Sequence, residues 1–201
     1  MTLSPHRQMT LQEYLNYDDG TDTRYELVNG VLVEMPPESR LNHRIASFLF
    51  GTFFQLGIST ELLTIGVQIA VSSSLKVTAR QPDFVVLSTA CADALESASQ
   101  DLITLEMPPP ALVVEVVSPG EPGEKNYDRD YIEKRREYAQ RGIREYWIVD
   151  PYREVVLVLT LEETSKEMSY EEQRFTDRMT ISSPTFPSLN LTADRILNAG
   201  R

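Results

Sequence analysis

Three ionisable residues stand in surroundings that call for a partner: Glu115, Asp83 and Lys134. Glu115 interrupts the aliphatic run 111–117, Ala-Leu-Val-Val-Glu-Val-Val. So apolar a run reads as a strand buried on both faces, where a lone ionised carboxylate is strongly unfavourable. Glu115 must therefore meet a cation, a set of strong donors or a solvated cleft. Upstream, Gln81-Pro82-Asp83 leads into a second apolar run, Phe84-Val85-Val86-Leu87. Asp83 then opens a strand beside that of Glu115, and two carboxylates share one region.

A lysine can reach that region from a helix. Residues 126–142 carry a capping Asn or Asp at the start and a glycine stop at Gly142, the signals of helix boundaries. Tyr127, Tyr131, Lys134 and Tyr138 fall four, three and four residues apart, on one side of such a helix. A wheel drawn at 3.6 residues per turn sets Lys134 at the edge of the apolar stripe and Arg135 nearer its centre. Either side chain can be the one turned inwards.

Each residue also has a structural reading. Glu115 can form a buried ion pair with an arginine. Asp83 can be a turn aspartate following proline, and Glu26, beside the hairpin described next, can face water. Lys134, in a Lys-Arg-Arg run, can lie on a solvated helix face. His43 reads as a surface or satisfied core histidine, and Trp147, Tyr146 and Tyr152 read as core and interface rather than stacking platforms.

The elements that position these residues follow from local signals. A short helix is expected over 10–17, then a hairpin with arms 25–28 and 31–35 joined by Asn29-Gly30, a strong two-residue turn signal. A helix over 40–56 precedes strands over 62–71 and 81–87, with 72–78 as their exposed turn. The stretch 89–110 reads as loop with at most one helical turn. After the lysine-bearing helix, 145–151 and 154–159 read as consecutive strands turned at Asp150-Pro151-Tyr152. The class is α/β, or α+β with one mixed central sheet flanked by helices.

Composition bounds the function. The chain has 201 residues, expected to form a single domain over 1–201. Its net charge of −11 argues against a broad polyanion-coating face, so any nucleic-acid contact must be local. One cysteine, Cys91, excludes an internal disulfide framework and fits a reducing compartment. The apolar stretch 45–58 is broken by Gly51, Gln55 and Gly57 and reads as a core helix, not a membrane span. Residues 1–9 lack the pattern of a secretory signal, and the expected location is the cytoplasm.

Taken in order, Tyr25-Glu26-Leu27-Val28-Asn29-Gly30, Arg80-Gln81-Pro82-Asp83, Val114-Glu115-Val116-Val117-Ser118-Pro119, Lys134 with Tyr138, and the string from Gly142 to Pro151 containing Glu-Tyr-Trp-Ile-Val-Asp-Pro resemble the Uma2 family. That family belongs to the PD-(D/E)XK nuclease superfamily. The resemblance implies a restriction-endonuclease-like core that hydrolyses phosphodiester bonds in DNA. It implies Asp83 and Glu115 as carboxylates for Mg²⁺, with Mn²⁺ a possible substitute, Lys134 as the catalytic lysine, and Glu26 as a further carboxylate on the metal directly or through water. One departure stands out. The superfamily's lysine two residues after the second acid is Val117 here, and the resemblance moves that role to Lys134. Duplex cleavage by a one-site domain requires two sites, so a homodimer is expected. The alternative is a nuclease-fold module without turnover that binds nucleic acid or protein, and a further rival is an assembly protein with ion-paired carboxylates.

Overall fold

Asn29 and Gly30 both take positive φ, 51° and 75°, the backbone of a two-residue hairpin turn. They join β1 (Tyr25–Val28) to β2 (Val31–Glu34), with Val28 opposite Val31. The computed structural model describes residues 8–21, 23–35, 39–71, 78–98, 100–163 and 168–199. Before the hairpin lies α1 (Leu11–Leu15), started by a reciprocal capping box of Thr10 and Glu13, which satisfies two otherwise orphaned amides. After it comes α2 (Arg40–Gln55), capped by the Ser39 hydroxyl.

The remaining strands are β3 (Leu63–Thr64), β4 (Gln68–Val71), β5 (Thr78–Arg80), β6 (Phe84–Val86), β7 (Leu102–Ile103), β8 (Leu112–Val116), β9 (Glu145–Asp150), β10 (Val155–Glu163) and β11 (Met168–Phe175). They form two mixed sheets where one was expected. One sheet runs β2-β1-β5-β4-β7 and the other β11-β10-β9-β8-β6-β3. Among the described residues the chain changes sheet five times, and two of these changes take only a few residues: between β3 and β4 around Gly66, and between β5 and β6 at Gln81-Pro82-Asp83. Gly66 takes φ 95°, a conformation suited to glycine, and Pro82 has no amide with which to continue a ladder. Gly66 divides the expected strand 62–71 into β3 and β4, while Pro82 separates the expected strand over 81–87, observed as β6, from β5, which sequence reading did not expect. The expected turn falls mostly on 72–77, which lies outside the described residues.

Two further differences are local. An eight-residue helix, α3 (Thr89–Glu96), capped by Ser88, occupies the stretch read as loop, and β10 runs four residues past the expected end, held between β9 and β11. A small helix, α6 (Ala193–Leu197), closes the described chain.

Strand β8 fixes the architecture. Leu112, Val114 and Val116 face one core, under α2 and α6, while Val113 and Val117 face another. Alternation therefore turns Glu115 towards the second core, where the helix over 125–140 packs. That helix connects β8 to its parallel partner β9, the crossover a parallel pair requires. It is built from α4 (Lys125–Asp128), one π turn (Arg129–Glu133) and α5 (Lys134–Gln140).

Candidate active site

Strands β6 and β8 pair antiparallel with Phe84 opposite Val114. Extending that register by one residue sets Asp83 opposite Glu115, so both side chains leave the same face of the sheet. Asp83 Oδ2 accepts from the Val116 amide at 2.6 Å, which fixes the carboxylate at the sheet edge. Both residues line a cleft of about 310 Å³ on the seam between the two sheets. The sheet-switching residues Gly66, Gln81 and Pro82 line it too, as do Asn42, Arg129 and Lys134. Asn42 projects from the first turn of α2 and donates to the Val116 carbonyl at 2.7 Å, tying that helix to the strand end.

Lys134 approaches from the opposite wall. Its Nζ lies 2.8 Å from Glu115 Oε2, 3.2 Å from Asp130 Oδ1 and 3.9 Å from Glu26 Oε1. The other Glu115 oxygen, Oε1, accepts from the Tyr138 hydroxyl at 2.8 Å. Lys134 is 1% exposed, whereas Arg135 points outwards to Glu172 at 2.6 Å. A regular wheel sets Arg135 nearer the centre of the stripe, but the π turn at 129–133, whose hydrogen bonds reach five residues along, shifts the helical phase ahead of α5, and Asp130, Lys134 and Tyr138, four apart, share the buried face.

Glu26 sits behind the lysine. It accepts from Arg80 Nη1 and from the Gln81 amide, each at 3.1 Å, and it does not line the cleft wall with Asp83 and Glu115. Arg80, 1% exposed, holds the network together. Its fork grips Glu137 through Nε at 2.8 Å and Nη2 at 3.0 Å, and Nη2 also meets Glu133 at 3.1 Å. Arg129 grips Asp130 in the same bidentate way, at 2.9 and 3.0 Å.

Charge is not balanced here. Among the described residues, Glu26, Asp83, Glu115, Asp130, Glu133 and Glu137 gather around Arg80, Arg129 and Lys134, with Arg24 on the same cleft wall: carboxylates outnumber cations. Burial pulls the Lys134 ammonium down, yet Glu115, Asp130 and Glu26 outweigh it and hold the lysine charged above its ordinary range. Burial also raises Glu26 and Asp130, but Lys134 with Arg80 or Arg129 overcomes it, and both end below the usual carboxylate range. Glu115 goes the other way. Burial pushes it up to about 8 against the pull of Lys134, and the like charges of Asp83 and Asp130 push in the same direction.

The donor set suits one kind of metal. Among the described residues no three acidic, histidine or cysteine side chains converge into a ready-made cage. Two carboxylates on an open cleft with surplus negative charge fit Mg²⁺, which keeps several waters and takes one or two carboxylates plus substrate phosphate.

Comparison with known proteins bears on this arrangement. The sequence model of Uma2, whose description reads "Putative restriction endonuclease", matches residues 11–194. The chain belongs to the Uma2 family. A solved structure whose title calls it a "putative nuclease belonging to DUF820", from Anabaena variabilis ATCC 29413, is 15% identical with a TM-score of 0.70, over 96% of this chain and 99% of that one. At that identity the likeness shows the shared fold. None of the curated proteins matches the chain. In this Uma2 chain Val117 is fully buried in the second core, and Lys134 lies on the crossover helix, buried beside Glu115.

Sequence reasoning missed Arg80, Arg129, Asp130 and Glu137. A signal existed: Glu133 and Glu137, four apart, repel on an exposed helix unless a cation lies between them, and Asp130 stands four before Lys134. On this helix the spacing of the charges marks the buried face more sharply than the spacing of the tyrosines.

Proposed function

We propose that the protein is a divalent-metal-dependent endonuclease that hydrolyses phosphodiester bonds in DNA. The observation that carries the reading is the pairing of Asp83 with Glu115 on one cleft, with the Lys134 ammonium 2.8 Å from Glu115. Asp83 and Glu115 are the residues that would hold Mg²⁺ or Mn²⁺. Such an ion, when bound, polarises the phosphodiester and acidifies a coordinated water.

The chain's own groups do the rest. Lys134, kept charged by three carboxylates, supplies a fixed positive charge where negative charge develops on phosphate, and a preorganised donor needs no reorganisation during the reaction. The Tyr138 hydroxyl and the Val116 amide hold the two carboxylates in orientation. Glu26 enters this reading as the carboxylate behind Lys134, acting through the ammonium and Arg80. A homodimer that brings two such clefts to one duplex, and a cytoplasmic location consistent with one buried free cysteine, complete the proposal.

A second reading is a nuclease-fold module without turnover. It is favoured by one observation: both Glu115 oxygens already have partners, in Lys134 and Tyr138. A cleavage assay separates the two. Purified protein should nick plasmid DNA with Mg²⁺ or Mn²⁺ and not with chelator, and Asp83→Ala and Glu115→Ala should abolish the reaction. Cleavage that survives both substitutions would sink the assignment, and absence of cleavage with either ion would favour the binding module.

A further inference from the structure

The cleft continues past Asp83 and Glu115. A second cavity of about 380 Å³ adjoins it, and Arg24, Gly66 and Gln81 line both. The Gln81 side-chain amide donates to the Gly66 carbonyl at 3.1 Å, which ties the shared wall together. Beyond that wall the second cavity is lined by Tyr14, Tyr17, Tyr25 and Gln68, among others.

Two features of that cavity point to a ligand. The half-buried rings of Tyr17 and Tyr25 meet edge-on, with centroids 5.7 Å apart and planes at 87°, so neither ring is stacked face to face on the other. Gln68 Oε1 is buried without a hydrogen-bond partner. A buried acceptor without a donor is unfavourable, and among the described residues only one other side-chain atom, Arg141 Nε, shares that state. Arg141 stands apart, bonded to the carbonyls of Thr104 and Met107.

We propose that this second cavity receives an unstacked nucleobase of the substrate strand, next to the phosphodiester held at Asp83 and Glu115. The inference rests on the nuclease reading in placing that phosphodiester. A turn of the Gln68 side chain, which now meets the Tyr14 hydroxyl, brings its carbonyl to a base N–H, the Tyr17 ring offers a stacking surface, and Arg24 stands at the junction where the backbone phosphate passes between the cavities. A base is neutral, so it tolerates Asp101 on the cavity wall and Asp19, which holds the Tyr25 hydroxyl at 2.7 Å. A base inside a duplex cannot enter such a cavity, so the site selects single-stranded or locally melted DNA.

Fluorescence anisotropy with chelator present tests this without relying on cleavage. The probes are a short labelled single-stranded oligodeoxynucleotide, its duplex, and a strand of the same length built from abasic units. The stranded probe with bases should bind about tenfold or more tighter than the abasic one, the scale of base stacking on an aromatic ring. Tyr17→Ala and Gln68→Leu should each erase most of that preference while leaving abasic affinity unchanged, and Tyr17→Phe should retain it. Equal affinity for strands with and without bases, no binding of any probe, or variants that bind like the wild type would each overturn the inference. Divalent-dependent cleavage with a base-blind cavity would leave the nuclease reading standing. Base-dependent binding with no cleavage would do the reverse.

Discussion

Lys134 reaches Glu115 from a helix rather than from the strand that carries the acid, and this separation makes the two residues independently testable. If the ammonium stabilises charge on the transferring phosphate, Lys134→Met should lower turnover about a hundredfold or more while metal binding, followed by titration of Mn²⁺, changes little. Arg135→Met should be near neutral, because its guanidinium pairs outside the cleft with the half-exposed Glu172, the kind of surface pair that contributes little. A crippled Arg135→Met beside an active Lys134→Met would reverse the roles given to the two residues.

At the scale of elements, Arg80 links β5 to the crossover helix, and its three carboxylate partners come from β1, the π turn and α5. Removing it leaves Glu26 and Glu137 buried with less countercharge. Arg80→Met should cost about 3 to 5 kcal/mol, a fall in Tm of roughly 6–20 °C for a chain of this length. Arg80→Lys should fall in between, since it keeps the charge and loses the fork. A melt of Arg80→Met within about 2 °C of the wild type would show that the network adds nothing to stability. What the sequence disclosed at this scale follows physical range. The Asn29-Gly30 hairpin, α2 and the strands β8 and β9 are written in local turn, cap and hydrophobic signals. The division into two sheets was not legible, because Gly66 and Pro82 act through the pairing of distant strands. The π turn was hidden too, since a widened turn leaves no mark in residue types, and without it the register of Lys134 and Arg135 stays open. The carboxylates could be found because one charge in an apolar strand demands a partner. Lys134 and Tyr138 answer that demand, while the arginines that hold the neighbouring carboxylates lie on other elements, and no spacing rule joins 80 to 137.

Over the whole molecule, a net charge of −11 and the surplus of carboxylates at the cleft give stability a pH dependence that a bound cation should change. Glu115 is raised from 4.5 to about 8 in the folded protein. Its contribution to stability is therefore full below the unfolded value of 4.5 and is lost as pH rises through about 8. Glu26 and Asp130 are lowered, so their contributions are present above their unfolded values and lost as pH falls below them. The chelated wild type should consequently melt highest at about pH 5 and lose stability as pH rises from there to about 8. Glu115→Gln should flatten that alkaline limb and match or exceed the wild-type Tm at pH 8, since Lys134 keeps Asp130 at 3.2 Å and Glu26 at 3.9 Å and is not stranded. Adding Mg²⁺ or Mn²⁺ should restore the wild type at pH 8, by about 2.7 kcal/mol at a free concentration a hundredfold above Kd, and should do little for Glu115→Gln. A purely structural Glu115–Lys134 pair makes the opposite demand, a loss of about 3 to 5 kcal/mol in Glu115→Gln and no response to metal in either protein. Four melts at pH 8, each protein with chelator and with metal, decide the matter: a destabilised Glu115→Gln beside a metal-blind wild type would end the metal-site reading.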